Sequence, residues 1–94
     1  MSKKKIEISG EEIREMLEEV NEDALVCDGL GDALVGIGET YGKLPVAVYD
    51  LNKIVQIYME RDGMSEEDAR EFFEYNVLGA YCGEHMPIFV TLYK

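Results

Sequence analysis

Residues 34–50 read LVGIGETYGKLPVAVYD, and this stretch predicts the centre of the fold. Its last six residues place valines at alternate positions, as in a strand whose two faces are both partly covered. An apolar run precedes them, and Gly42 between the two runs can adopt the positive φ that a hairpin loop commonly needs. We therefore predict a hairpin that pairs residues 34–39 with residues 45–49.

A helical signal lies before the hairpin. Ser9 and Glu12 form a capping box, in which the serine oxygen accepts from a backbone N–H and the glutamate reaches back to the cap. Apolar residues then follow at the spacing of one helical face, at Ile13, Met16, Leu17 and Val20. The pattern predicts a surface helix of roughly eleven residues.

Two further helices are predicted after the hairpin. Asp50 caps the first, whose apolar face is followed by a stop at Gly63. Ser65 caps the second, in which the helical period continues to Gly83 through Ala69, Phe72, Phe73, Val77, Ala80 and Tyr81. In the alternative interpretation this helix breaks near Asn76, and VLGAYC forms a strand.

Short apolar runs predict the remaining strands. PIFVTLY closes the chain as a strand, and ALVCD and ALVGIGE predict two strands joined by a glycine-rich turn at DGLG. No linker or low-complexity tract divides the chain. We predict one α+β domain over residues 1–94, with three helices packed on a small, mainly antiparallel sheet of three to four strands. Residues 1–8 are interpreted as either a flexible segment or an edge strand.

The charge is strongly negative and unevenly placed. Twenty acids against nine bases give a net charge of −11, and residues 7–39 hold eleven acids against one base, Arg14. Such a field repels nucleic-acid phosphates and anionic membranes and favours a basic partner. No apolar run approaches the ~20 residues of a membrane span, and the lysine-rich start lacks the apolar region of a signal peptide. A cytoplasmic protein is the expectation.

The glycine-rich acidic stretch does not predict a cofactor or metal site. A phosphate loop ends in Gly-Lys-Ser/Thr or opens a helix with Gly-x-Gly-x-x-Gly, whereas here Gly38 is followed by Glu39. Asp23, Asp28 and Asp32 lack the spacing of a calcium loop. We expect neither a cofactor nor a metal ion.

Cys82 and His85 form one close thiol–imidazole pair, with Cys27 far upstream. Structural zinc usually takes four ligands, and a nucleophilic thiol needs an imidazole within hydrogen-bond reach. Small apolar fillers are the favoured interpretation of both cysteines. Asn76 lies on an apolar helix face, where a buried amide that ties the helix to a neighbouring backbone is favoured over a binding role.

The candidate binding residues are mostly exposed acids. Tyr41 and Tyr75 are the tyrosines expected to be most exposed. The predicted binding set is Glu11, Glu15, Glu18, Glu19, Glu22, Asp28, Asp32, Glu39, Tyr41, Asn76 and Glu84.

Several segments resemble a group of small uncharacterised proteins of tailed bacteriophages and prophages. The resemblance covers roughly residues 23–90 and includes a Gly-Ile-Gly-Glu run, a strand ending in Val-Tyr-Asp, and Glu-Arg-Asp-Gly-Met-Ser. Its matching positions are Gly36, Ile37, Gly38, Glu39, Val48, Tyr49, Asp50, residues 60–65, Phe73, Glu74, Tyr75, Asn76, Val77, Gly83, Glu84, Pro87 and Phe89. The resemblance implies a phage-related origin and a bacterial cytoplasm, and it implies no catalytic site.

Two hypotheses of different classes follow. The first is a non-enzymatic interaction module that binds a host or phage protein through its acidic face, for example by blocking the basic nucleic-acid groove of an immunity nuclease. The second is a small hydrolase or metal-dependent enzyme built around Glu39, Asp50, Asn76, Glu84 and His85. A homodimer formed through an edge strand is a third hypothesis.

Overall fold

The computed structural model describes residues 8–80 and 83–93. Three helices and a three-stranded mixed sheet confirm the predicted α+β class. The elements are α1 (Gly10–Val20), β1 (Leu34–Gly38), β2 (Val46–Asp50), α2 (Leu51–Asp62), α3 (Glu66–Asn76) and β3 (Ile88–Val90), with 3-10 turns at Gly31–Ala33 and Leu78–Ala80. The prediction for residues 1–8 lies outside the described residues except for Ile8, which is exposed.

Local capping signals place the helices as predicted. The Ser9 N–H donates to the Glu12 carboxylate at 3.0 Å, and the Glu12 N–H donates to Ser9 Oγ at 3.2 Å, which completes the capping box. Asp50 Oδ1 accepts from the Asn52 N–H at 3.0 Å at the start of α2. Gly63 ends α2 with a φ of +70°, a conformation that glycine adopts without steric cost.

The sheet has the order β1-β2-β3. β1 and β2 form the predicted antiparallel hairpin, whose loop turns at Gly42 with a φ of +82°. β3 lies parallel to β2, so α2 and α3 form the crossover between them.

The predicted strand at residues 24–28 is wrong. None of these residues lies in a strand, and two hydrogen bonds of the segment go to separate parts of the chain. The Leu25 N–H donates to the His85 carbonyl at 3.1 Å, and the Cys27 N–H donates to Tyr49 Oη at 2.8 Å. The glycine-rich turn that follows is present, with Gly29 at a φ of +79°.

The predicted continuation of the third helix is also wrong. α3 ends at Asn76, and Leu78–Ala80 form a 3-10 turn and not the alternative strand. Val77 is buried, whereas Leu78 and Ala80 in the turn that follows are exposed, so this turn adds no buried apolar side chain to the helix face. The predictions for Tyr81 and Cys82 lie outside the described residues.

The core lies between the helices and one face of the sheet. Phe73 of α3 meets Phe89 of β3 edge-on at 4.9 Å, and Phe89 lies 5.8 Å from the Tyr49 ring. On the α1 side, Ile13 and Leu17 are buried. The other two residues of the predicted apolar face of α1, Met16 and Val20, are about half exposed, so that stripe is narrower than expected.

The start of α1 comes unusually close to another backbone segment. A Cβ atom added at Gly10 would overlap the carbonyl oxygen of Gly31, at the start of the first 3-10 turn. Only a residue without a side chain allows this approach. The contact fixes the start of α1 against the loop that leads into β1.

Candidate functional site

The predicted acidic surface of α1 is present and open. We define the α1 acidic face as Glu11, Glu15, Glu18, Glu19 and Glu22, all of which are exposed. Glu15, Glu18, Glu19 and Glu22 line one shallow depression, and no other described residue lines it. The helix that carries them is fixed by its capping box and by the buried side chains of Ile13 and Leu17.

This arrangement is unfavourable for the helix itself. Like charges four residues apart, as in Glu11–Glu15 and Glu15–Glu19, each destabilise a helix by a few tenths of a kcal/mol. Glu18 and Glu19 also lie in the last turn, which contains no base, near the negative end of the helix dipole. Helix stability therefore does not explain why these carboxylates are there.

Neighbouring bases do not neutralise the α1 acidic face within the described residues. Arg14 lies 3.8 Å from Glu11, and both side chains are at least half exposed, so the pair contributes little. The remaining ion pairs of the described chain join Arg61 to Asp62 and Arg70 to Glu66, away from α1. Four of the five carboxylates are thus left to solvent or to a partner.

The other predicted binding residues do not extend this cluster into one site. Glu39 and Tyr41 lie in the hairpin loop and Glu84 lies in the loop before β3, all of them exposed. Asp32 lines a separate depression together with Lys53 and other residues of α2. Asp28 is also exposed, next to the turn at Gly29, so these predicted residues lie on separate loops and turns outside α1.

Asn76 does not have the buried structural role predicted for it. The residue is exposed, and its Nδ2 donates to the carbonyl of Phe72 in its own helix at 3.2 Å. The apolar stripe of α3 passes through Ala69, Phe73 and Val77, one position away from Asn76. The amide therefore closes the end of α3 and ties it to no neighbouring backbone.

Two residues of the hydrolase hypothesis, Asp50 and His85, do not lie together. The Asp50 side chain is buried and occupied as the cap of α2. The His85 ring lies near Asn21, whose amide donates to the carbonyl of Pro45 just before β2. Asp50 is the last residue of β2, so about 16 Å of extended strand separates it from Pro45. Among residues 8–80 and 83–93, no group of three or more His, Cys, Asp or Glu side chains is placed to hold a metal ion.

A buried polar contact at the end of α1 was missed by the sequence patterns. Asn21 is 3% exposed, and its Nδ2 donates to the Pro45 carbonyl at 2.8 Å while its Oδ1 accepts from the Asp23 N–H at 3.1 Å. These two bonds fix the orientation of the amide, so Nδ2 is also the donor to His85 Nδ1 at 3.1 Å. His85 therefore carries its proton on Nε2 when this contact is formed.

A second buried polar group lies under α1. Tyr49 is 1% exposed, and burial, opposed in part by its hydrogen bond from the Cys27 N–H, raises the pKa of Tyr49 to about 12. Burial also raises the pKa of Tyr58. Both tyrosines are neutral and structural at ordinary pH.

Comparison with known proteins adds no relative: no protein-family model, curated protein or solved structure matches this chain. None of the helices within residues 8–80 and 83–93 is long and apolar enough to cross a membrane.

Proposed function

We propose that this chain is a non-enzymatic interaction module of phage or prophage origin that works in the bacterial cytoplasm. It binds a host or phage protein with a basic surface through the α1 acidic face. A nuclease of host immunity, whose nucleic-acid groove is basic, is the kind of partner that such a face would block.

The observation that carries the proposal is the row of unpaired carboxylates on α1. Glu15, Glu18, Glu19 and Glu22 are exposed and have no ion-pair partner among the described residues. Their mutual repulsion destabilises the helix that carries them, and a basic partner would relieve that repulsion. The phage origin is supported by the sequence resemblance alone.

Capture from bacterial lysate tests the proposal. Immobilised protein is compared with a variant in which Glu15, Glu18, Glu19 and Glu22 are all changed to Gln, a residue of similar helix propensity. We expect the unmodified protein to retain a basic protein at low salt and to release it near 0.5 M salt, because salt screens exposed charges. The variant should retain none of it.

A matched variant separates the α1 acidic face from net charge. Changing Glu60, Glu66, Glu67 and Glu74 to Gln alters the net charge by the same amount on α2 and α3, outside the α1 acidic face and the residues that line a shallow groove on α3. This variant should still capture the basic protein, and the captured protein should lose binding to a DNA oligonucleotide when the unmodified chain is added. Equal capture by all three proteins, or recovery of no basic protein at either salt, would overturn the proposal.

A further inference from the structure

A shallow groove runs along the outer side of α3. We call it the α3 groove, and it is lined by Met64, Asp68, Glu71, Phe72, Tyr75 and Asn76, with a volume of about 360 Å³. Its lining combines apolar and acidic side chains, unlike the carboxylate depression on α1. The groove lies on α3 beside the buried stripe, so packing against the rest of the chain leaves it open.

The apolar part of the groove is held in place before any partner arrives. Phe72 was predicted to belong to the core, but it is 38% exposed. Its inner edge packs against the Tyr58 ring at 4.9 Å and 78°, and Tyr58 is itself buried under Arg61 at 5.8 Å. A side chain that is already ordered loses little entropy on binding, and exposed aromatic rings of this kind supply much of the energy of protein interfaces.

Tyr75 extends this apolar surface. It is 81% exposed on the same side of α3, three residues after Phe72, which is the spacing of neighbours on a helix surface. Met64 adds a flexible thioether at the start of the groove. The three side chains together offer a place for one apolar side chain of a partner.

The rim of the groove selects the charge of that partner. Asp68 and Glu71 have no ion pair among the described residues. The one base of α3, Arg70, is occupied by Glu66 at 3.3 Å and by Asn52 Oδ1 at 3.4 Å. A ligand that places a cation on each side of an apolar group would satisfy both parts of the lining.

We propose that the α3 groove binds a short cationic segment of a partner protein, with one aliphatic or aromatic side chain between lysines or arginines. From Asp68 to Asn76 the groove spans about 12 Å, which matches about four extended residues. A second copy of this chain carries the same net charge of −11, and repulsion between the two copies disfavours it as the occupant. The site is separate from the α1 acidic face and does not depend on it.

A synthetic peptide with the sequence Lys-Lys-Trp-Lys-Lys tests the groove directly. This chain contains no tryptophan, so the fluorescence of the peptide can be read without background. We expect saturable binding with a blue shift, and a loss of affinity of at least about tenfold in Tyr75→Ala and in Phe72→Ala, as for an interface hot spot. Tyr93→Ala, which removes a comparably exposed tyrosine after β3, should leave the affinity unchanged.

Two further arms identify what the groove recognises. Glu71→Gln should weaken binding, while Glu74→Gln, which removes an exposed acid of α3 outside the groove, should not. A peptide with Glu in place of the four lysines should bind more weakly than the original. Unchanged affinity in Tyr75→Ala and Phe72→Ala, or loss of binding only in the α1 variants, would overturn the proposal. A dimer in sedimentation experiments that Tyr75→Ala abolishes would assign the groove to a second copy and overturn it as well.

Discussion

α1 and α3 are nearly the same helix by composition, yet different contacts hold them in the fold. Each has eleven residues, a serine N-cap, five acids and one arginine. α1 is fixed at its ends by backbone and polar contacts, through Gly10 against Gly31 and through Asn21 to Pro45. α3 is fixed by Phe73, whose ring packs on β3.

The difference separates what makes a helix from what places it. Caps and apolar spacing decide that each segment is helical, whereas the few inward-facing residues decide what the helix rests on. The outer surfaces differ accordingly: α1 presents carboxylates that act at long range, and α3 adds rings that act only on contact. Salt should therefore weaken recognition by α1 more than recognition by α3.

The largest expected change in the free energy of unfolding concerns the neighbouring phenylalanines of α3. Phe73→Ala should lower the free energy of unfolding by about 3–5 kcal/mol, because it leaves a cavity against Phe89. Phe72→Ala should cost only about 1 kcal/mol, since it loses mainly its edge contact with Tyr58. Urea unfolding followed by circular dichroism measures both, and equal losses would contradict the assignment of Phe72 to the surface.

The second test is the response of the α1 side of the core to high pH. The pKa of Tyr49 is about 12 in the folded chain and near 10 when unfolded, so the unfolded form loses this proton first. The contribution of the protonated Tyr49 hydroxyl to the free energy of unfolding is fully present below pH 10. It is lost as the pH rises from 10 to 12, by an amount on the order of 2 kcal/mol.

Tyr49→Phe is the control for the pH response. Urea unfolding at pH 9 and pH 11 should show a smaller loss in this variant than in the unmodified chain. Some loss should remain because burial also raises the pKa of Tyr58. If both proteins lose the same stability, Tyr49 does not titrate as its burial implies.

The smallest expected changes in the free energy of unfolding concern Asn21 and Asn76, the asparagines at the ends of α1 and α3. Asn21→Ala should cost about 2 kcal/mol, because it leaves the buried carbonyl of Pro45 without its donor. Asn76→Ala should change stability by less than about 0.5 kcal/mol, since its amide is exposed and bonds only within α3. Thermal unfolding of both variants checks this, and a cost for Asn76→Ala as large as that for Asn21→Ala would refute the comparison.

Features encoded by near neighbours were predictable from the sequence. The capping box at Ser9, the cap at Asp50, the stop at Gly63 and the hairpin turn at Gly42 each depend on residues within a few positions. The exposed glutamates of α1 were predictable for the same reason, because one helical face had to carry them.

Features that depend on distant partners were not predictable. Residues 24–28 look like a strand by composition, but their bonds go to His85 and Tyr49, far along the chain. The end of α3 was missed because the apolar period of the sequence continues past Val77, although Leu78 and Ala80 are exposed in the structure. Phe72 and Phe73 are identical in type and adjacent in sequence, so the packing of α3 against both α2 and β3 decides which ring is covered.

The contact at Gly10 has a consequence for how α1 can vary. Because no side chain separates the start of the helix from Gly31, surface substitutions along α1 can change its pattern of charge without tilting its axis. A methyl group at position 10, by contrast, would overlap the Gly31 carbonyl, so the start of α1 or the turn at Gly31 would have to shift. Gly10 therefore restrains the position of α1, whereas the exposed residues of the α1 acidic face can be substituted.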